Sequence, residues 1–271
     1  MPVAAAGALT VDYAEQGEGE PVVLLHSSVS GNRQWRSLAD ALSDRYRAVA
    51  VNLFGYGATT AWPDNPSQSL YAQVRLLLLI PGIEAGPLHL VGHSFGAAVA
   101  LKAALLLGSR VRKLVLIEPN PFNLLKQEGR TEAFLEARAL RDHVKCFGSV
   151  GDWEAVGGRF ADYWGGDGSW AAMPEKRRSA FAAALRPNYY EWDAVMSEEA
   201  TLAEWKSIPA RTLVMSDPRT RRPIREIVEI FSFACPHWSF ERLTGAGHMA
   251  PLERPELVNP LVRRFLDAPA S

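Results

Sequence analysis

Cysteine is scarce in this chain: Cys146 and Cys235 are the two cysteines among its 271 residues. A disulfide framework of the kind that supports small secreted domains is therefore excluded, and such low cysteine usage is typical of a reducing compartment. The N-terminal residues contain no basic segment followed by an apolar run, so we expect no signal peptide. These features together predict a cytoplasmic protein.

The chain also lacks an excess of one charge and a long apolar run. Its 29 basic and 30 acidic residues give a formal net charge of −1 and are spread along the chain, so no basic surface for nucleic acid is expected. The apolar run at residues 76–80 is far too short to span a bilayer. We expect a small-molecule substrate and neither nucleic acid nor a membrane as partner. A homodimer is compatible with the sequence, which identifies no interface.

The composition, with 48% apolar and 22% charged residues, is ordinary for a globular protein with a sizeable core. Short β-rich runs alternate with helical stretches, which predicts an α/β fold with a mostly parallel central sheet flanked by helices. Continuously apolar runs, as at residues 22–25 and 114–117, indicate strands that helices cover on both faces. The predicted strands are residues 9–14, 21–25, 46–51, 88–92, 113–117, 211–215 and 238–243.

This alternation stops between Pro119 and Pro209, where the sequence is typical of helices rich in aromatic residues. A glycine-rich stretch at residues 165–168 and the region of Pro187 predict turns between those helices. We interpret residues 120–208 as an inserted helical cap on a core domain formed by residues 1–119 and 209–271.

The most informative motif is Gly92-His93-Ser94-Phe95-Gly96, which directly follows one predicted strand and directly precedes the helical run 97–107. A G-x-S-x-G pattern between a strand and a helix is the signature of a nucleophile elbow. Such a sharp turn strains the serine backbone, and a side chain in place of either glycine would collide with neighbouring backbone. The motif predicts that the Ser94 hydroxyl projects above the sheet as a nucleophile.

With this motif in its context, the chain resembles the α/β-hydrolase superfamily over almost its entire length. The resemblance implies a serine hydrolase in which His248, within the G-A-G-H-M-A-P-L-E segment at 245–253, is the general base. An imidazole that titrates near neutrality can take the serine proton and return it to the leaving group. No phosphate loop, dinucleotide fingerprint or metal-ligand spacing is present in the sequence, so we expect no cofactor and no metal.

The acid that orients the histidine departs from the commonest family pattern. That pattern places an acid a few residues after the strand at 211–215, where this sequence has Thr220, with Asp217 three residues early. A second family arrangement places a glutamate at the end of the strand that follows the nucleophile helix, and Leu-Ile-Glu-Pro at 116–119 resembles it. We therefore favour Glu118 as the acid and keep Asp217 as the alternative.

The same resemblance implies an oxyanion hole made of two backbone N–H groups. One belongs to Phe95, after the nucleophile, and the other to Ser28, in the loop after the strand at 21–25. Ser27 replaces the glycine of the family's His-Gly phrase, so its hydroxyl is a candidate substrate contact. Aromatic residues are candidates to line an apolar pocket over Ser94, namely Trp35, Tyr163 and Trp164.

Three functional hypotheses remain open at this stage. The first is hydrolysis of an ester or related acyl bond of a small, largely apolar molecule through an acyl-serine intermediate. The second is hydrolysis of a carbon–carbon bond in a β-diketone-like or ring-fission product, which uses the same residues. The third is a member of the fold that binds a ligand without catalysis.

Overall fold

The computed structural model describes residues 2–269 of the chain, and this part contains eight strands. They are β1 (Val3–Ala6), β2 (Leu9–Gln16), β3 (Glu20–Leu25), β4 (Tyr46–Val51), β5 (Leu88–His93), β6 (Val111–Ile117), β7 (Arg211–Ser216) and β8 (Ser239–Arg242). They form one sheet in the order β1-β2-β4-β3-β5-β6-β7-β8. In this order, each strand from β4 through β3, β5, β6 and β7 to β8 pairs with its neighbour in parallel. Strands β1 and β2 are added at one edge by antiparallel pairing. The predicted mostly parallel sheet is confirmed.

The central strands are buried on both faces because alternate side chains enter different hydrophobic clusters. In β3, Val23 and Leu25 belong to one cluster, and Val22 and Leu24 belong to the other. This two-sided burial explains why the sequence of the strand is continuously apolar. Strand β1 was not predicted because its Val-Ala-Ala-Ala sequence is short and mostly exposed.

Helices cover both faces of the sheet. Helices α1 (Arg36–Leu42) and α13 (Pro255–Asp267) pack into the cluster that contains Val22 and Leu24. The opposite face is covered by α2 (Leu70–Leu77), α3 (Phe95–Leu107) and α11 (Arg222–Ala234). A short helix, α12 (Ala250–Glu253), precedes α13. No helix within residues 2–269 has both the length and the apolarity needed to cross a bilayer.

Seven helices lie between β6 and β7, in the region where the sequence predicts a cap. They are α4 (Asn123–Gln127), α5 (Thr131–Ser149), α6 (Trp153–Gly165), α7 (Ser169–Ala172), α8 (Glu175–Ala184), α9 (Asn188–Met196) and α10 (Leu202–Lys206). We call residues 123–206 the α4–α10 segment. Most of its buried hydrophobic side chains, including Leu140, Val156 and Trp192, belong to the same hydrophobic cluster as α3. The segment therefore packs on the α3 face of the protein.

Candidate active site

Parallel pairing brings Ser94 and Glu118 to the same edge of the sheet. Ser94 directly follows β5 and Glu118 directly follows β6, and these neighbouring strands are paired through their last residues, His93 and Ile117. The Ser94 N–H donates to the Ile117 carbonyl at 2.9 Å, so the pairing continues into the turn. The carboxyl edge of a parallel sheet is where ligand sites of α/β proteins occur.

The turn at Ser94 has the strained geometry that the sequence predicts. Ser94 has φ 52°, in the left-handed region that non-glycine residues rarely adopt. A Cβ at Gly92 would lie 2.3 Å from the Gly96 carbonyl oxygen, and a Cβ at Gly96 would lie 2.2 Å from that of Leu25. Both glycines are therefore sterically required, and α3 begins at the next residue, Phe95.

His248 connects Ser94 to Glu118 by hydrogen bonds. Its Nε2 lies 3.2 Å from Ser94 Oγ, and its Nδ1 lies 3.1 Å from Glu118 Oε2. Because an ionised carboxylate only accepts, Nδ1 carries the proton and the Nε2 lone pair faces the serine hydroxyl. All three side chains are buried. This chain of groups can pass a proton from the serine to the imidazole while the carboxylate stabilises the resulting cation.

Glu118 is held by two donors besides His248. Its Oε1 accepts a hydrogen bond of 2.7 Å from the Asp217 N–H, and its Oε2 accepts one from the Thr220 hydroxyl. Thr220 is the residue that stands where the commonest family pattern has its acid. Here its hydroxyl orients Glu118, a contact that the sequence reasoning did not anticipate.

The Asp217 side chain makes a different set of contacts. Its Oδ1 accepts from the Arg219 N–H at 2.8 Å, and its Oδ2 accepts from the Gly247 N–H at 2.9 Å. Burial alone raises the pKa of Asp217, but these backbone hydrogen bonds hold the pKa below its ordinary value. The carboxylate therefore anchors the loop that carries His248, whereas the hydrogen bond to the His248 ring comes from Glu118.

Two further buried histidines support the site as neutral groups. His93 Nε2 donates to the His248 carbonyl at 2.7 Å, and burial together with the nearby His248 lowers the pKa of His93 well below its ordinary value. The Leu53 N–H donates to His26 Nε2 at 3.1 Å, so His26 Nδ1 carries the proton that it donates to the Ser27 carbonyl at 2.7 Å. Burial lowers the pKa of His26 to about 4.

The two backbone donors expected for an oxyanion hole are unpaired. Within residues 2–269, the N–H groups of Phe95 and Ser28 donate no hydrogen bond to the protein. Phe95 is the first residue of α3, where helix N–H groups have no intrahelical partner. Asn120, which the sequence reasoning missed, donates through Nδ2 to Ser94 Oγ at 3.4 Å. It follows Glu118 by two residues, and that spacing alone gave no indication of its role.

A cavity of about 550 Å³ lies above Ser94 and His248. Ser27 and Trp164 line it, as the sequence suggests, and so do Asn188 and Glu191 of α9, which the sequence reasoning missed. Its apolar wall comes mainly from helices of the α4–α10 segment and includes Phe122, Phe160, Trp164, Phe181, Trp192 and Val195. The cavity thus combines polar groups at Ser94 and His248 with an apolar wall from the α4–α10 segment.

Trp35 and Tyr163 do not line this cavity, which corrects the expectation from the sequence. Trp35 is 1% exposed and packs with α1 and α13 in the core on one face of the sheet. Tyr163 packs edge-on against Trp164, and its hydroxyl donates to Glu136 at 2.8 Å. Local sequence showed that both residues are large and aromatic, but not which side of the sheet or helix they face.

Trp164 has a direct relation to the candidate base. Its ring stacks on the His248 imidazole, with a centroid separation of 4.0 Å and an interplanar angle of 20°. One face of the imidazole is thereby covered by an aromatic side chain from α6. An aromatic face attracts an adjacent cation, so the ring of Trp164 lies where it would contact an imidazolium formed during proton transfer.

Comparison with known proteins identifies similar chains. The chain is 21% identical to (E)-2-((N-methylformamido)methylene)succinate hydrolase of Acinetobacter baylyi, in an alignment that covers 95% of this chain and 94% of that relative. It is 34% identical over 116 residues to 2-hydroxy-6-oxo-2,4-heptadienoate hydrolase of Pseudomonas putida, covering 41% of this chain and only 42% of that relative. A thermophilic esterase from Thermogutta terrifontis has a similar fold, with a TM-score of 0.73, 21% identity, and coverage of 97% of this chain and 96% of that one.

The model of the alpha/beta hydrolase family matches residues 22–261, which include every strand from β4 to β8, the α4–α10 segment and the site. The match agrees with the sheet order and with the position of the strained serine between β5 and α3. The chain therefore belongs to the α/β hydrolase family.

Proposed function

We propose that this protein is a serine hydrolase that cleaves an ester or related acyl bond of a small, largely apolar molecule. The observation that carries the proposal is the hydrogen-bonded path from Ser94 Oγ through His248 to Glu118, at 3.2 and 3.1 Å, beneath a cavity lined by aromatic residues. A serine hydroxyl is a weak nucleophile, and a neighbouring base of this kind activates it.

In the proposed reaction, Ser94 Oγ attacks the carbonyl carbon while its proton moves to His248 Nε2. The imidazolium is stabilised by Glu118, and the oxyanion accepts hydrogen bonds from the N–H groups of Phe95 and Ser28. The tetrahedral intermediate expels the alcohol, which leaves with the proton from His248. Water then attacks the acyl-serine by the same route, giving the acid and restoring the Ser94 hydroxyl.

We assign the role of the acid to Glu118 and not to Asp217. Glu118 faces the imidazole and is itself oriented by Thr220 and by the Asp217 N–H. Asp217 binds the backbone of the loop before His248. Glu118 thus orients the imidazole ring of His248, and Asp217 holds the backbone of the loop that carries it.

The α4–α10 segment is the proposed cap, since it supplies most of the apolar wall of the cavity. Substrate selection then depends on helices outside the sheet, whereas the reacting groups follow the strands. A cavity of about 550 Å³ supports acyl or alcohol groups of modest size.

A panel of p-nitrophenyl esters of increasing acyl length, assayed with the native protein and Ser94→Ala, tests the proposal. We expect hydrolysis that is strongest for acyl groups that fit the cavity and is lost in Ser94→Ala. Hydrolysis that persists in the variant would refute Ser94 as nucleophile. The absence of turnover on every ester would favour the second reaction or a binding role.

That second reaction is hydrolysis of a carbon–carbon bond in a β-diketone-like or ring-fission product. The similarity to 2-hydroxy-6-oxo-2,4-heptadienoate hydrolase favours it, although only 42% of that relative is covered. Comparison of kcat/KM for a β-diketone and an ester of equal volume separates the two reactions. A preference for the diketone of more than about tenfold, or about 1.4 kcal/mol of transition-state free energy, would identify the carbon–carbon hydrolase.

A further inference from the structure

The loop that carries the proposed oxyanion donor Ser28 is strained and needs external support. Val29 has φ 70°, an unfavourable conformation for a β-branched residue. Such strain persists only where surrounding contacts determine the conformation. Two of these contacts come from the core: the Tyr56 hydroxyl accepts from the Val29 N–H at 2.9 Å, and Gln34 Oε1 accepts from the Ser27 N–H at 3.1 Å.

The support of Ser28 itself comes from the α4–α10 segment. Its hydroxyl bonds to Glu191 Oε2, and Asn188 Nδ2 lies 3.2 Å from the same hydroxyl and 3.1 Å from that carboxyl oxygen. Asn188 Oδ1 accepts from the Trp192 indole at 2.9 Å, which fixes the orientation of the amide. Because Asn188 donates to Ser28, the Ser28 hydroxyl donates its own proton to Glu191.

Glu191 is an unusual group for this position. It is 1% exposed and lines the cavity. Within residues 2–269 it forms no ion pair with a cation, and its Oε1 has no hydrogen-bond partner. Burial raises the pKa of this carboxyl group, and hydrogen bonds from Ser28 and Asn188 oppose the rise. Burying an unpaired carboxyl group costs free energy, and such groups concentrate at functional sites.

Glu191 also lies close to Tyr56, which holds the loop at Val29. Burial and the nearby Glu191 charge raise the pKa of Tyr56, whose hydroxyl holds the Val29 N–H. One carboxyl group on α9 is therefore adjacent to the supports of both Ser28 and Val29. Together with Asn188, it joins this loop to the α4–α10 segment.

We propose that Glu191 is a positioning residue that holds the Ser28 hydroxyl and thereby keeps the Ser28 N–H aimed at the oxyanion formed when Ser94 attacks. This inference rests on the proposed acyl-serine mechanism. Loss of Glu191 affects the transition state and leaves binding of the ground-state substrate nearly unchanged. Complete removal of an oxyanion donor costs about 10²–10³-fold in kcat, so misplacement of one donor is expected to cost about 10–100-fold.

The test measures kcat and KM on the best p-nitrophenyl ester, and the inhibition constant of a trifluoromethyl ketone of matching acyl length. The ketone forms a hemiketal oxyanion with the serine and so depends on the same donors. For Glu191→Ala we expect kcat to fall about 10–100-fold with KM nearly unchanged, and the ketone to lose affinity by the same factor. Glu191→Gln keeps an acceptor for Ser28 and should recover most of the activity.

A double-variant cycle identifies the path of the effect. Ser28→Ala keeps the backbone N–H but removes the hydroxyl that Glu191 holds, so it should reproduce the loss, and the double variant should lose little more. Glu198→Ala is the matched control, because it removes another buried carboxylate, paired with Lys102 at 2.7 Å, away from this loop. It should lower the melting temperature and leave kcat unchanged.

Three results would overturn the proposal. Glu191→Ala could lose thermal stability but keep kcat, as the control does, which would make Glu191 purely structural. It could raise KM with kcat unchanged, which would make Glu191 a substrate contact. The losses in Glu191→Ala and Ser28→Ala could be additive, which would separate the two residues. Ester hydrolysis by Ser94→Ala would instead refute the mechanism on which the proposal rests.

Discussion

Replacement of Glu118 by glutamine should abolish turnover by forcing the wrong protonation of His248. In the native site, both Glu118 oxygens face donors: the Asp217 N–H on Oε1, and the Thr220 hydroxyl and His248 Nδ1–H on Oε2. A glutamine amide has one oxygen and one NH₂ group, so it cannot accept on both sides. If the NH₂ faces His248, the proton moves to Nε2, which then cannot accept the Ser94 proton.

The magnitude follows from that geometry. A histidine held in the wrong tautomer lowers kcat by about 10⁴-fold. If the amide turns instead, its NH₂ opposes the buried Asp217 N–H, which leaves two donors unpaired at a cost of about 1–3 kcal/mol in the free energy of unfolding. Because the second orientation carries this cost and the first leaves no donor unpaired, the first should predominate, and we expect a loss of kcat of about 10⁴-fold.

Asp217→Asn is the matched comparison, because it makes the same chemical change in the neighbouring carboxylate. Its NH₂ group would oppose the N–H of either Arg219 or Gly247, which lowers stability by about 1–3 kcal/mol. Displacement of the His248 loop should lower kcat by at most about 10²-fold. The assay is steady-state hydrolysis of one ester, with urea unfolding of each variant. A 10⁴-fold loss in Asp217→Asn with activity retained in Glu118→Gln would refute the assignment.

Two other predictions concern the stacked tryptophan and the buried His26. Trp164→Leu removes the aromatic ring whose centroid lies 4.0 Å from that of His248, and it should lower kcat about tenfold. Trp164→Phe, which keeps an aromatic ring, and Phe181→Leu, which changes another residue of the cavity wall, should leave kcat nearly unchanged. Equal losses in all three variants would exclude a role for the stack. Burial lowers the pKa of His26 to about 4, below the value near 6.5 of an unfolded histidine. Its contribution to stability is therefore complete above pH 6.5 and is lost as the pH falls towards 4, by about 3 kcal/mol. The change in unfolding free energy between pH 7.5 and 4.5, compared in the native protein and His26→Gln, measures this contribution, and equal changes in the two proteins would contradict it.

The fold was largely predictable because burial on both faces leaves a strong pattern in the sequence. The predicted strand at residues 21–25 became β3 (Glu20–Leu25), and that at 46–51 became β4 (Tyr46–Val51) with the same ends. Apolar runs locate such strands well, but they do not determine the ends, which depend on hydrogen bonds to neighbours. The edge strand β1 lacks the pattern because the sheet buries little of it.

The site was predictable only where its geometry is local. The turn around Ser94 is local because steric constraints on Gly92 and Gly96 arise within a few residues and one neighbouring strand. Glu191 could not be identified in this way, since its contact with Ser28 joins residues 163 positions apart. Helical spacing shows which residues share a face, but not that this face lies against the loop after β3.

Trp35 illustrates the opposite error. Its aromatic side chain suggested a pocket wall, yet it is buried among α1 and α13. A single sequence does not show on which face of the sheet the side chains near a short turn are packed. Of the three aromatic residues named from the sequence, Trp164 is the one that lines the cavity, and it lies on α6, far along the chain from Trp35.

Covalent labelling by a fluorophosphonate, located by peptide mass spectrometry in the native protein and in His248→Ala, examines the activated serine itself. Because His248 Nε2 lies 3.2 Å from Ser94 Oγ, we expect one adduct per chain, on Ser94, formed rapidly in the native protein and very slowly in the variant. A folded native protein that leaves Ser94 unlabelled, or equal labelling rates with and without His248, would contradict the proposed nucleophile and its base.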